Sequence, residues 1–168
     1  NIEQERRLLH EKLPAAKAFA RANGIDKITH DTKDANIVLV ATGKAYGDLM
    51  QALRLLKIDD KTAAKMGILI AKIGMVWPLE ETFIKSLSTR AKELFILEEK
   101  RPLIEGQIKE ILYGQTNAPL ITGKKDDQHN DLLPDYYEMT PLMIAKALIK
   151  RIAPFVDTAE MAARLEIL

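Results

Sequence analysis

The sequence predicts an α/β fold, a three-layer α/β/α sandwich around a mostly parallel sheet of about five strands. Two observations carry this expectation. Ile37–Ala41, Ile68–Ile73 and Leu94–Leu97 are short continuous apolar runs, the pattern of strands buried on both faces. Each run leads directly into a segment with helical periodicity, and strands that alternate with helices build parallel sheets with right-handed crossovers.

Residues 1–24 read as an N-terminal helical linker in which Leu8, Leu9, Leu13 and Ala16 share a face. Pro14 lacks an amide hydrogen and interrupts that helix, and Gly24 closes it. Residues 25–168 read as the α/β domain, opening with a short edge strand at Lys27–His30. After the Ile37–Ala41 strand, Thr42-Gly43 turns the chain into a helix with Tyr46, Leu49, Met50, Leu53 and Leu56 on one side. A second helical stretch, Asp60–Met66, precedes the Ile68–Ile73 strand. Trp77-Pro78-Leu79 then enters a helix carrying Phe83, Ile84 and Leu87.

Beyond Leu97 the chain passes through Glu98-Glu99-Lys100-Arg101 into a helix over Pro102–Tyr113, with proline at its start and Gly114 past its end. Its expected buried stripe is Leu103, Ile104, Ile108, Ile111 and Leu112. Pro119–Ile121 carries a weak strand signal. Gly123–Asp135 is polar and aperiodic, and reads as a long mobile loop with solvated lysines at 124 and 125. Thr140-Pro141 opens a helix whose inner face is Leu142, Ala145, Leu148, Ile152 and Phe155, and a terminal helix runs from about Thr158 to Leu168.

Composition narrows the function classes. The chain has 168 residues, 47% of them apolar and 29% charged, as in an ordinary globular domain. Its 25 basic and 24 acidic side chains are interspersed, so no nucleic-acid footprint is visible. No apolar run reaches the length of a membrane span. With no cysteine, the chain forms no disulfide and holds no thiolate metal site or iron–sulfur cluster, which fits a cytoplasmic setting. It begins at Asn1 without a signal-peptide pattern and reads as a piece of something longer.

Candidate sites gather beyond the carboxyl ends of the strands, where open parallel sheets place their functional groups. Thr42–Gly47 (TGKAYG) lies at a helix amino end that suits a phosphate or carboxylate, although its spacing matches neither GxGxxG nor GxxxxGK(S/T). The plain reading is a tight turn between strand and helix; the functional one is an independent phosphate- or nucleotide-binding domain. Glu98 and Glu99 are adjacent, so on an extended strand end they face opposite ways and make a poor acid–base pair. Lys100, Arg101 and Glu105 complete an ion network around them. His10, His30 and His129 have no ligand-spaced partners, and Ser86 and Ser88 lack a nearby histidine or a GxSxG elbow. Trp77 suits either a packing anchor or an interface hot spot.

Four segments occur in one order: AYGDLMQALRLL, AKIGMVWPLEETFI, ELFILEEKRPLIEGQIKEILYG and LLPDYYEMTPLMIAKALIKRI. Together they resemble the second, transketolase C-terminal-like domain of the 2-oxoacid:ferredoxin oxidoreductases, most closely the indolepyruvate type. The likeness covers roughly residues 25–155, and Glu98–Gly114 is its most specific part. It implies a sheet with one antiparallel edge strand, for which Lys27–His30 is the candidate. For the parent it implies thiamine diphosphate, magnesium, 4Fe–4S clusters, ferredoxin and coenzyme A, with indole-3-acetyl-coenzyme A as product. The GDG-type thiamine motif and the cluster cysteines are absent, so no catalytic, cofactor or metal residue carries over. The resemblance therefore implies a supporting domain. Gly43, Gly47, Trp77, Glu98, Glu99, Lys100 and Arg101 are its expected inter-domain interface.

Overall fold

A computed structural model describes residues 1–167. The sheet has five strands in the order β1-β3-β2-β4-β5: Lys27–His30, Ile37–Thr42, Ile68–Ile73, Glu93–Leu97 and Leu120–Thr122, numbered along the chain. β2, β3, β4 and β5 run parallel, and β1 pairs antiparallel with β3 at the edge. The three-layer fold and the reversed edge strand are as expected from the sequence.

Alternation along the strands divides the core into two layers, because successive side chains point to opposite faces. Ile37, Leu39 and Ala41 face one layer, packed against α3 (Gly43–Leu55), α4 (Asp60–Lys65), α7 (Pro141–Ile152) and α8 (Ala159–Leu165). Val38 and Val40 face the other, under α5 (Glu81–Ser88) and α6 (Leu103–Leu112). Each large side chain fully buried this way contributes about 1.5–3 kcal/mol of transfer free energy.

The N-terminal segment is a single helical rod with a wide turn in it. α1 (Ile2–Arg7) passes through a π turn at Leu8–Lys12 into α2 (Leu13–Ala22). Pro14 cannot donate to the carbonyl four residues back, and the wide turn ahead of it absorbs that missing bond without breaking the rod. Gly24, at φ +56°, then ends the helix in the left-handed conformation that glycine adopts freely. α2 leans on α5 through Arg21, which donates to buried Glu80 at 2.7 Å, while Glu80 caps α5 by accepting from the Thr82 and Phe83 amides.

Three expectations change. Leu103 is 51% exposed, so the buried face of α6 is Ile104, Ile108 and Leu112, joined by buried Glu105. Residues 123–135 are tied by internal hydrogen bonds rather than left as a solvated loop. Asp126 accepts from the Gln128 and Asn130 amides, and Lys125 pairs with Asp131. Lys124 is buried rather than solvated. The terminal helix is described over Ala159–Leu165; Leu168 lies outside the described residues.

Candidate functional site at the carboxyl edge of the sheet

Three parallel strands deliver their following loops to one edge: Thr42-Gly43 after β2, Gly74–Trp77 after β3 and Glu98–Arg101 after β4. Residues 135–137 close over them. The result is a groove of about 610 Å³ walled by Thr42, Val76, Leu103, Tyr136 and Tyr137, with the Glu98–Arg101 cluster along one side.

The two adjacent carboxylates diverge, as the strand pleat predicts. Glu98 turns inward to 4% exposure and accepts the Leu103 and Ile104 amides on one oxygen, at 3.0 and 2.8 Å, and the Glu105 amide on the other, at 2.9 Å. It thereby occupies the first-turn donors of α6, which the cap residue Pro102 leaves unmet. Glu99 faces the opposite way and accepts from Lys44 Nζ and the Met139 amide, both at 3.2 Å. Neither carboxylate is available to the other or to a substrate as half of an acid–base pair. Burial pushes the Glu98 carboxyl above its ordinary value, against the pull of the Ile104 and Glu105 amides.

Lys44 does not wait for an anion at the start of α3. Its amine donates to Asp48 at 2.6 Å, Glu138 at 3.0 Å, Glu99 at 3.2 Å and the Met139 carbonyl at 3.1 Å. The Asp48 bond, followed by the Glu138 bond, holds it above the usual lysine value. The Thr42 hydroxyl is committed too, donating to the Ile73 carbonyl at 2.9 Å. Three carboxylates against one ammonium leave this turn negative, which disfavours a phosphate there.

A buried polar strap fixes the 123–135 segment beneath the edge. Lys124 Nζ donates to the Glu98 and Pro134 carbonyls, and the Lys124 amide donates to Glu105 at 2.9 Å. Glu105 is held in turn by Lys109 at 2.6 Å. Gly123 lies against the Glu105 carboxylate, so a Cβ there would displace a side chain already held by Lys109 and the Lys124 amide. Burial lowers the Lys124 amine below its ordinary value of 10.5. A lysine depressed in the folded state contributes stability that is present above the unfolded value and lost as pH falls through the folded one. The stability difference between wild type and Lys124→Met should therefore shift in favour of wild type as pH rises from neutrality toward 10.5. Urea midpoints across that range test this, and a difference independent of pH would refute it.

The structure brings Glu98, Glu99, Lys100 and Arg101 together with Thr42 at the groove. Lys100 and Arg101 are exposed, and Lys100 has φ +55°. Gly43 starts α3 next to the groove, and Gly47 lies exposed one turn further along the helix. Trp77, 55% exposed, turns away from it. It lines a second groove of about 480 Å³ with Leu9, Leu13, Gln107 and Ile111, so the N-terminal rod lies against it. Glu98, expected at an inter-domain surface, is 4% exposed in this chain and caps α6 through three amides. Sequence reasoning did not single out Tyr136 and Tyr137, 75% and 80% exposed. The available signal was an aromatic pair in an otherwise polar loop; only the topology shows that this loop reaches the strand ends.

Comparison with known proteins places the chain. A family described as the indolepyruvate oxidoreductase domain matches residues 27–168. The chain belongs to this family. Indolepyruvate oxidoreductase subunit IorA of Thermococcus kodakarensis is 28% identical over 118 residues, covering 70% of this chain and 16% of that protein. The IorA subunit of Methanothermobacter marburgensis is 23% identical over 146 residues, covering 85% of this chain and 21% of the relative. The chain thus spans about one fifth or less of the length of these relatives. Among solved structures, a split-gene transketolase in an inactive beta4 tetramer superposes with a TM-score of 0.55 at 15% identity, covering 79% of this chain and 43% of its own. That likeness is one of fold, and the indolepyruvate oxidoreductase domain accordingly has the transketolase C-terminal-like architecture.

The donor set of the indolepyruvate oxidoreductase domain does not fit the iron–sulfur clusters that the family resemblance implies. No group of three or more His, Cys, Asp or Glu side chains among the described residues is arranged to hold a metal ion. Cysteine, the cluster ligand, is missing from the sequence. At the strand ends, the acids of the cluster are consumed by amides and by Lys44. No helix among the described residues is long and apolar enough to cross a membrane.

Proposed function

We propose that this chain is a non-catalytic supporting domain of a thiamine-diphosphate-dependent 2-oxoacid:ferredoxin oxidoreductase of the indolepyruvate type. The whole enzyme oxidatively decarboxylates an aryl-2-oxoacid and forms an acyl-coenzyme A. Electrons pass through 4Fe–4S clusters to ferredoxin. Residues 25–168 form the domain, residues 1–24 a helical linker, and the assembly is cytoplasmic. The domain packs on the remaining domains or subunits with the carboxyl edge of its sheet, through Gly43, Gly47, Glu99, Lys100 and Arg101, with Trp77 on the flank.

The observation that carries this reading is the fate of the two carboxylates. The edge where a parallel sheet normally assembles its chemistry has Glu98 bound to three amides and Glu99 bound to Lys44 and Met139. What remains outward-facing is contact surface. The alternative, a phosphate or nucleotide site at Thr42–Gly47, is weakened by the carboxylates of Asp48, Glu99 and Glu138 around Lys44. Calorimetric titration of the 168-residue chain with thiamine diphosphate and magnesium is expected to show no saturable heat. Tight binding would overturn the supporting role.

A further inference from the structure

The groove at the strand ends has an unusual division of charge. Most small-anion devices along it are engaged, and the uncapped first turn of α3 sits beside the carboxylates of Asp48, Glu99 and Glu138. The amides that start α6 are taken by Glu98, the Thr42 hydroxyl by Ile73, and Lys44 by its three carboxylates. Lys100 and Arg101 make no ion pair among the described residues, although both are exposed on the groove wall. Between and beside them stand Leu103, Val76, Tyr136 and Tyr137, which are 51%, 37%, 75% and 80% exposed. Asp135 also lines the groove, and its charge acts on Lys124 and Lys125.

The tyrosine wall of the groove is hydrogen-bonded at both ends. Glu99 fixes the Met139 amide, Lys44 fixes Glu138 and the Met139 carbonyl, and Lys124 fixes the Pro134 carbonyl, so both ends of the tyrosine segment are tied down. Lys100 and Tyr137 both take positive φ, +55° and +58°, a conformation that costs side-chain-bearing residues free energy and is kept where the surroundings impose it. An aromatic and aliphatic floor with cations at one rim has the composition of a protein interface, with apolar anchors inside and charge at the edge.

We infer that this groove docks an acidic segment of another polypeptide, one carrying an apolar or aromatic anchor flanked by carboxylates that pair with Lys100 and Arg101. The inference rests on the supporting-domain reading and names the chemistry of the partner at its edge. A polypeptide is favoured over a small anion because the α6 amides are taken by Glu98 and the uncapped α3 turn is surrounded by carboxylates, while the two free cations are long side chains beside exposed rings. Charge complementarity selects the acidic class.

The test uses the native assembly that carries this chain, treated with a carbodiimide that joins lysine amines to carboxylates. The expected product is an amide between the Lys100 side chain and an Asp or Glu of a polypeptide other than the one carrying residues 1–168, absent in Lys100→Arg, which keeps the charge but not the amine. The pair Lys100→Glu and Arg101→Glu is expected to weaken retention of the partner by about tenfold or more, with Lys100→Arg near wild type. Lys100 left unlinked, linked only to carboxylates of this chain or of a second copy, or a charge reversal without effect on retention would each overturn the docking assignment. An assembly that still oxidises a 2-oxoacid with Lys100 unlinked refutes the docking assignment alone. An assembly without that activity refutes the supporting role, whatever Lys100 does.

Discussion

Replacing Arg151 with alanine is expected to cost about 3 kcal/mol of folding free energy, the lower end of the loss caused by removing one partner from a buried ion pair. Arg151 leaves α7 to meet Glu93 at the start of β4 through two bonds, Nε at 2.8 Å and Nη2 at 3.0 Å, with side-chain exposures of 14% and 8%. The Thr122 hydroxyl donates to the same carboxylate from β5, and Arg151 also reaches Asp127 at 3.0 Å. One guanidinium therefore ties together a helix, the central sheet and the 123–135 segment. Without it, Glu93 keeps only the threonine bond and carries a buried charge, which is the costly outcome. The lost stability should lower the melting temperature by about 6–12 °C in a domain of this size. Arg151→Lys retains the charge but not the forked geometry, and should fall between the two. The double variant Glu93→Leu, Arg151→Met leaves no buried charge and should lose less than Arg151→Ala. A loss below about 1 kcal/mol for Arg151→Ala would place the pair in the surface class and refute its architectural role.

The layers of this fold were legible in the sequence because they rest on local patterns. Ile37–Ala41 and Ile68–Ile73 are strands by their apolar continuity, and Thr140 caps α7 as its position before a proline predicts, accepting from Met143. The reversed direction of β1 came from family likeness; no pattern in Lys27–His30 states it. The polar core was not legible. Lys124 sits in a segment with the composition of a solvated loop, yet it is 7% exposed, because two backbone carbonyls and the carboxylates of Glu98 and Glu105 converge on it from positions 10 to 26 residues away. Glu93 reads as the polar residue before a strand, and only the arrival of Arg151 from 58 positions later makes it an internal ion pair. Burial of a charge is decided by long-range partners, and a single sequence does not display those pairings. The site divides in the same way. The strand-end cluster was found by position; the inward turn of Glu98 and the aromatic floor formed by Tyr136 and Tyr137 depend on the closure of distant loops.

Glu98→Ala should destabilise the 168-residue chain itself by about 2–3 kcal/mol, combining loss of a helix cap with two or more amides left without an acceptor. The Ile104 and Glu105 bonds are buried, so water does not replace the carboxylate when it is removed. Lys124 would also lose a neighbouring negative charge while remaining buried. Glu98→Gln keeps one oxygen for the Leu103 and Ile104 amides but turns its own amide toward the Glu105 amide, and should lose roughly half as much. Ionisation adds a pH signature. Burial raises the Glu98 carboxyl above the ordinary 4.5, so its contribution is fullest below that value and declines as pH rises through the folded value. The stability gap between wild type and Glu98→Gln should therefore narrow as pH rises from about 4 toward neutrality, since the glutamine does not titrate. Thermal and urea unfolding of the chain measure both effects. A melting temperature within about 2 °C of wild type for Glu98→Ala would refute the capping role and return this carboxylate to the surface where the pattern of the sequence first placed it.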